Sequence, residues 1–291
     1  MSFRTTSLII ILAAQTAFAL TPPTRPADPR PIDQLVPSGT PTTVFASVKR
    51  AFQLYGGVIT ASPKYVRLLP LIAQGFPDPA KDLDEVGACT DLTSHQNINV
   101  GLVVTGRIDR ARALACAAAN GVTFTTSVYR GVELLTGKIS ERSFQIAFFD
   151  ERVTVISVDS VATHPVMHTM LDNILTAATP HDSTLATGYL LNAAQSLKEF
   201  AAGASGPWGF LSHISTVSID AQPVEATLNV ASKIIILTDS PEFATQFSQE
   251  IQQAANHQHQ HIADPVVSVD GKNVHFNCTV LKSAIEGYLG N

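Results

Sequence analysis

The chain has 291 residues, of which 15% are charged and 45% are hydrophobic, and its formal net charge is -5. This length and composition suit a folded protein of two modest domains and exclude a disordered chain. The acidic balance and the lack of basic runs exclude nucleic acid as a partner, because affinity for phosphate backbones depends on clustered Lys and Arg.

Residues 1–19 have the pattern of a signal peptide. Arg4 precedes an apolar run over residues 7–19, which ends in Ala17-Phe18-Ala19, the small-x-small pattern that signal peptidase cleaves. The run is too short to span a bilayer comfortably, so no stable transmembrane anchor is expected after cleavage. The sequence therefore predicts an exported bacterial protein, periplasmic or secreted, whose mature chain starts near Leu20.

Residues 20–41 are rich in proline, which favours extended backbone over helices and sheet ladders. We interpret this stretch as a linker; its prolines are Pro22, Pro23, Pro26, Pro29, Pro31, Pro37 and Pro41. Folded structure is expected from residue 42, beginning with a strand over residues 42–48. Ser62 and Pro63 then form a helix-start pattern, which predicts a helix over residues 62–74.

Residues 42–180 are predicted to form a first α+β domain. Its strands fall at residues 85–91 and 99–106, and a helix capped by Asp109 follows and ends before Gly121. Two hairpins come next, the first turned at Tyr129-Arg130-Gly131 and the second at Glu151-Arg152. A helix over residues 160–178 closes the domain, since its apolar residues recur at helical spacing.

Residues 181–210 are expected to form a helical connector, and residues 211–291 a second α+β domain. Its first two strands turn near Gln222-Pro223, a helix opens at Ser240, and a hairpin turns at Asp270-Gly271 before a last helix. The order strand, strand, helix, strand, strand occurs in both halves, which indicates a duplicated unit. The predicted fold is α+β, with two antiparallel-sheet domains whose helices pack on one face, in a split βαβ or ferredoxin-like arrangement.

Three runs in the first half resemble uncharacterised exported bacterial proteins. They are "GFPDPAKDLDEV" at residues 75–86, "VVTGRID" at residues 103–109 and "YRGVELL" at residues 129–135. The resemblance implies tandem ferredoxin-like α+β repeats outside the cytoplasm. It implies no activity, and so no catalytic residues are carried over. The motif residues themselves have structural roles: Asp109 caps a helix and Gly131 serves a turn.

Two histidine arrays are the candidate metal sites, for zinc or copper. His164, His168 and Asp172 follow one another at intervals of four, which places them on one helix face if the helix is continuous. In the second array, His257 and His261 share a face only if their helix continues past residue 255, with His259 between them. A solvent-facing flank and a polar helix end are the competing interpretations.

Other candidate chemistry is weaker. The acidic residues Asp82, Asp84 and Glu85 match either a calcium site or a solvated loop. Residues 203–206 only superficially match a nucleophile elbow, because a linker is expected there rather than a strand-to-helix turn. Cys89, Cys116 and Cys278 allow one disulfide, although buried free thiols fit their apolar surroundings better.

The sequence therefore favours a non-catalytic exported binding or interaction protein, whose partner is an unknown protein or envelope component. No cofactor is expected beyond the possible zinc or copper. Two alternatives stay open. One is an extracytoplasmic hydrolase whose residues converge only in space, and the other is a weak transition-metal binder.

Overall fold

The computed structural model describes residues 30–37, 42–63, 78–91, 99–119, 121–139, 142–159, 165–176, 190–193 and 213–290. The predicted signal peptide, His164, residues 203–206 and nearly all of the helix predicted at residues 62–74 lie outside these ranges. Within them the chain forms antiparallel sheet and helices, which confirms the α+β class. No helix among these residues is both long and apolar enough to span a membrane.

Twelve described strands form one antiparallel sheet in the order β11-β12-β10-β9-β8-β1-β2-β3-β7-β6-β5-β4. The seven-stranded section is built from β1 to β7 and the four-stranded section from β9 to β12, with β8 paired to β1 and β9 between them. The strands are β1 Thr42–Ser47, β2 Leu83–Asp91, β3 Asn99–Gly106, β4 Thr125–Tyr129, β5 Val132–Ile139, β6 Arg142–Phe148, β7 Val153–Asp159, β8 Leu190–Ala193, β9 Ile214–Val224, β10 Asn229–Thr238, β11 Ile262–Asp270 and β12 Asn273–Val280.

Seven helices accompany these strands in the described ranges. They are α1 Ile32–Leu35, α2 Val48–Ala61, α3 Pro79–Asp82, α4 Arg110–Ala119, α5 Pro165–Leu175, α6 Pro241–His257 and α7 Lys282–Gly290. Both sections follow the same path. A strand pair is followed by a crossover helix and by further strands, the last of which pairs with the second strand of the initial pair. Thus β7 returns beside β3 after α4, and β12 beside β10 after α6. In the four-stranded section, β10 and β11 precede and follow α6 and run parallel to each other with β12 between them, which is the split βαβ arrangement that the sequence predicts.

The helices cover both faces of the seven-stranded section, rather than the one face that the sequence predicts. Val103 and Val155 lie in a core cluster with α1 and α5. Their neighbours Leu102 and Ile156 point to the opposite face and pack with α4. In β3 and β7, the residues that point to either face are therefore largely apolar, because helices bury both faces of these central strands.

Local chemistry explains where several elements begin and turn. Ser240 caps α6, its hydroxyl oxygen accepting from the Phe243 N–H at 3.1 Å, and Asp109 caps α4 through the Arg112 N–H at 3.0 Å. Arg130 and Gly131 both have positive φ, 47° and 77°, which gives the two-residue hairpin turn between β4 and β5. These starts and turns are confirmed.

The linker prediction for residues 20–41 is wrong at residues 30–37. Ile32, Leu35 and Val36 are buried in the core beside α5. They fit because β2 carries Gly87 at that point, where a Cβ atom would lie 2.5 Å from Val36 Cγ2. Proline-rich composition indicated neither the short helix α1 nor the apolar residues that dock it.

Three further expectations differ from the structure. Ser62 is the C-cap of α2, a helix that the sequence did not predict. Gln222-Pro223 lie within β9, and the chain turns at residues 225–228 instead, so Pro223 pairs with Val230. Within the expected helical connector, the described residues form the strand β8.

Two of the three cysteines are described with their side chains. Cys89 and Cys278 are buried free thiols, and burial raises the pKa of Cys278. For this pair the free-thiol interpretation is confirmed. The side chain of Cys116 lies outside the described set.

Candidate functional site

The candidate site is the free edge of β4, at one end of the twelve-stranded sheet. Thr125, Thr126, Ser127 and Val128 are all exposed, with 70% of Val128 open to solvent. Within the described chain, β4 pairs with β5 alone. We call the side of β4 that faces away from β5 the β4 edge.

The hairpin turn fixes which backbone groups point outward. Tyr129 and Val132 flank the two-residue turn and pair with each other, so they form the hydrogen-bonded pair that closes the hairpin. Alternation along the strand then directs the N–H and C=O groups of Ser127 toward β5. The same groups of Thr126 and Val128 face away from the sheet along the β4 edge.

The opposite end of the sheet has an interrupted edge. In β11, the register shifts between Ala263 and Val266, Asp264 has φ of +50°, and Pro265 carries no N–H. A bulge and a proline are common protections of an edge strand, because they interrupt the row of donors and acceptors. The β4 edge has no proline, no bulge and no charged residue in its sequence "TTSVY".

A cluster of four side chains fixes the β4–β5 turn to α5, and we call it the clamp: Tyr129, Arg130, His168 and Asp172. The Tyr129 hydroxyl donates to Asp172 at 3.0 Å, and the Tyr129 ring stacks on His168 with centroids 4.0 Å apart. Arg130 Nε lies 3.2 Å from Asp172 Oδ1. Burial, followed by the hydrogen bond to the Asp172 carboxylate, raises the pKa of Tyr129.

The clamp accounts for two of the predicted metal ligands. His168 and Asp172 do lie on one side of α5, as the spacing predicts, but their partners are Tyr129 and Arg130. Both carboxylate oxygens of Asp172 accept from the Tyr129 hydroxyl. Sequence spacing identified the pair, whereas Tyr129, which is 43 residues from Asp172, could not be linked to it.

The second histidine array lies at the end of α6, with all three side chains exposed. His257 is the last residue of the helix, and its Nδ1 lies 2.7 Å from the Gln253 carbonyl oxygen. His259 Nδ1 lies 3.4 Å from the carbonyl oxygen of Asn256, and His261 follows in the turn. In the described part of the chain, no three His, Cys, Asp or Glu residues form a metal-binding group.

The acidic residues before β2 have partners of their own. Asp82 Oδ2 accepts from the Asp78 N–H at 2.7 Å. Asp84 lies 3.5 Å from Lys49 Nζ, and Glu85 lies 3.7 Å from Arg152 Nη2. Burial raises the pKa of Glu85 although Arg152 opposes that shift. These contacts join α2, β2 and the β6–β7 turn.

A cavity of about 210 Å³ opens on the α4 face near the β6–β7 turn. The side chains that line it are Ile108, Arg110, Phe148, Asp150, Glu151 and Thr154. Arg110 Nη2 binds Glu133 Oε2 at 2.6 Å, and its guanidinium lies 5.0 Å from the Phe148 ring centroid. No motif in the sequence indicated this cavity, because its lining residues come from two separate stretches, residues 108–110 and 148–154.

No protein-family model and no curated protein matches the chain. Among solved structures the chain is similar to TP0453 of Treponema pallidum. Crystal form III of TP0453 gives a TM-score of 0.58 at 10% identity, covering 90% of this chain and 97% of that one. Crystal form I gives 0.54 at 10% identity, covering 91% and 100%. At this identity the similarity shows a shared fold over nearly the whole of both chains.

Proposed function

We propose that the chain is an exported, non-catalytic interaction protein that binds an extended segment of a partner protein along the β4 edge. The observation that supports this most is the contrast between the two ends of the sheet. One end is interrupted by a bulge and Pro265, while the other leaves the edge of β4 unbroken. An open edge strand is a template for pairing with another chain.

Backbone pairing supplies the affinity in this proposal. The outward N–H and C=O groups of Thr126 and Val128 bind the added strand, at a net gain of about 1 kcal/mol for each hydrogen bond. The clamp holds the hairpin in place before the partner binds, so less conformational freedom is lost on binding. Specificity comes from side chains, because those of an added strand alternate between the two faces of the sheet.

The chemistry of the β4 edge indicates the composition of the partner segment. Thr126 and Val128 favour β-branched or aromatic residues beside them. Arg130 lies at one end of the strand, and the exposed Lys138 lies on β5 beyond the other end. We therefore expect an extended segment with an uncharged centre and acidic residues at its flanks.

A defined peptide tests this proposal. The probe is a fluorescent peptide of alternating Thr and Val with Glu residues at both ends. We expect binding that weakens with added salt, and slower hydrogen exchange of the Thr126 and Val128 amides in the complex. The same peptide flanked by Lys should bind more weakly.

Two controls separate strand addition from other binding. Thr126→Pro removes one outward N–H, which an edge strand tolerates, and should abolish binding, whereas Thr126→Val should preserve it. A peptide N-methylated at every residue should not bind, because neither of its edges then carries N–H donors. Equal binding by Thr126→Pro, or unchanged exchange at Thr126 and Val128, would show that the β4 edge is not the site.

Export is part of the same proposal. N-terminal sequencing of protein recovered from the native envelope or medium is expected to give a chain starting near Leu20. Recovery of the chain in the cytoplasm with residues 1–19 attached would contradict it.

A further inference from the structure

The β4 edge is complementary to itself in one antiparallel register. Its outward N–H and C=O groups belong to Thr126 and Val128, and Ser127 lies midway between them. When Ser127 lies opposite Ser127 of a second copy on a two-fold axis, Thr126 of each chain lies opposite Val128 of the other. Each of these pairs then exchanges two backbone hydrogen bonds, because both of its residues present their outward groups.

The side chains in this register are compatible on both faces of the joined sheet. On one face, each Thr126 meets a Val128, which pairs β-branched residues. On the other face, Ser127 meets its own copy, and each Thr125 meets a Tyr129. All of these residues except Tyr129 are exposed, so neither face of β4 is covered before pairing.

Charge does not oppose pairing at the edge itself. The sequence "TTSVY" carries no charged residue, and the register places Arg130 of one copy opposite residue 124 of the other. The two Arg130 positions are then roughly 20 Å apart along the joined strands, which exceeds the Debye length at physiological salt. Each whole chain has a net charge of -5, and we therefore expect added salt to favour pairing.

We propose that a second copy of the chain occupies the β4 edge when no partner segment is bound, through antiparallel pairing of β4 with β4. The sequence of β4 has neither the bulge nor the proline that interrupts β11, and such an edge is a template for pairing. Because a short strand offers few hydrogen bonds, the dimer is weak and is populated at about 0.1–1 mM protein. Self-pairing and partner binding exclude each other, a consequence that rests on the proposed function.

Sedimentation equilibrium of the whole chain tests for the dimer. Between about 10 µM and 1 mM protein, we expect the average mass to rise from that of one chain towards that of two. Added salt should increase the dimer fraction. In the concentrated sample, the amides of Thr126 and Val128 should exchange hydrogen more slowly than in the dilute sample. A chain that stays monomeric at about 1 mM would overturn the proposal.

Charge substitutions at Ser127 test the register. Ser127→Lys and Ser127→Glu each place like charges opposite each other on the two-fold axis, and each should weaken the dimer at least about tenfold. An equimolar mixture of the two variants should restore dimerisation, because the introduced charges are then opposite in sign. Undiminished dimerisation of Ser127→Lys, or a mixture that stays monomeric, would contradict the register and overturn the proposal.

Ser268→Lys is the matched control, because it changes an exposed serine of the other edge strand, β11. It should leave the dimer unchanged. Loss of the dimer in Ser268→Lys would place the interface at β11 and overturn the proposal.

The Glu-flanked peptide separates this inference from the proposed function. Saturating peptide should return the dimer to monomer, since both bind the same backbone groups. A chain that dimerises but does not bind the peptide supports self-pairing and contradicts the proposed function. A chain that binds the peptide but stays monomeric does the reverse. A dimer that binds the peptide without dissociating would overturn self-pairing through the β4 edge.

Discussion

Gly101 and Gly56 differ in what surrounds the position where a side chain would begin. Gly101 lies on β3 beneath α5, and a Cβ atom there would overlap Met170 Sδ and lie 2.7 Å from Val166 Cγ1. Gly56 lies in the middle of α2 with nothing within 4 Å of that position. One glycine is needed for close approach of helix and sheet, and the other only weakens a helix.

Substituting alanine at the two positions should have opposite effects. Gly101→Ala forces α5 away from the sheet and should lower the free energy of unfolding by about 1–3 kcal/mol. Gly56→Ala should raise it by about 0.5–1 kcal/mol, since alanine is the better helix former. Urea denaturation of both variants measures the difference. A neutral Gly101→Ala would show that α5 does not pack this closely.

At the scale of elements, α1 is held in place by contacts from three directions. Arg30 Nη2 donates to the Ile174 carbonyl oxygen at 2.6 Å, and Arg152 Nη1 donates to the Arg30 carbonyl oxygen at 3.0 Å. The Glu85 carboxylate accepts from the backbone N–H of Ile32. A stretch that the sequence presents as a linker is therefore fixed to β2 and α5.

Glu85 makes the stability of the fold depend on pH because it is partly buried beside α1. Burial raises its folded-state pKa above the ordinary value of 4.5. Its contribution to stability is therefore complete below about pH 4.5 and is lost as the pH rises through the folded-state pKa. Relative to Glu85→Gln, the natural chain should lose stability over that window in urea unfolding measured from pH 4 to pH 8.

Glu286→Gln controls for the removal of one acidic charge at an exposed position. A constant stability difference between the natural chain and Glu85→Gln across the whole pH range would contradict the assignment.

The elements that the sequence predicts well are those with local determinants. Ser240 before Pro241 specifies a cap, and Arg130-Gly131 specifies a turn, within a few residues. The turn predicted at Asp270-Gly271 lies one residue later, at Gly271-Lys272, because Asp270 still pairs with Asn273. By contrast, α1 depends on Gly87, which lies far along the chain. The helix α2 contains Gly56-Gly57 and β-branched residues that weaken helical propensity, so the sequence gives it little local support.

Across the whole molecule, the hydrophobic residues form separate clusters in the two sections. Two clusters lie on opposite faces of the seven-stranded section, and a third joins α6 to the four-stranded section. The links between sections include β8 and polar contacts from α2, such as Arg50 Nη2 to Glu225 Oε1 at 3.0 Å. Separate cores predict that the sections can unfold separately, as two domains would.

Matched substitutions in the two sections test this expectation. Ile236 and Ile156 are each 8% exposed, in the clusters of the four-stranded and seven-stranded sections respectively. Each isoleucine-to-alanine change should cost about 2–5 kcal/mol. Ile236→Ala should speed the hydrogen exchange of the amides of β10 and β12, and Ile156→Ala should speed that of the amides of β3 and β7. If either variant speeds exchange equally in both sections, the two sections form one cooperative unit.

The candidate site is less predictable from sequence than the fold. The strand "TTSVY" can be identified by its β-branched residues and the turn that follows. Its place at the end of the sheet depends on pairings between β3 and β7 and between β1 and β8, which join distant stretches. No local pattern distinguishes an edge strand from a central one here, because Val128 is as apolar as a core residue.

The interrupted edge at β11 bears on how large an assembly based on this sheet can grow. Two copies that pair through their β4 strands place β11 at both ends of the joined sheet. Because a bulge and a proline interrupt the donors and acceptors of β11, further addition is disfavoured and two molecules are the expected limit. Asp264 and Pro265 would therefore restrict polymerisation, although they lie at the opposite end of the sheet from β4.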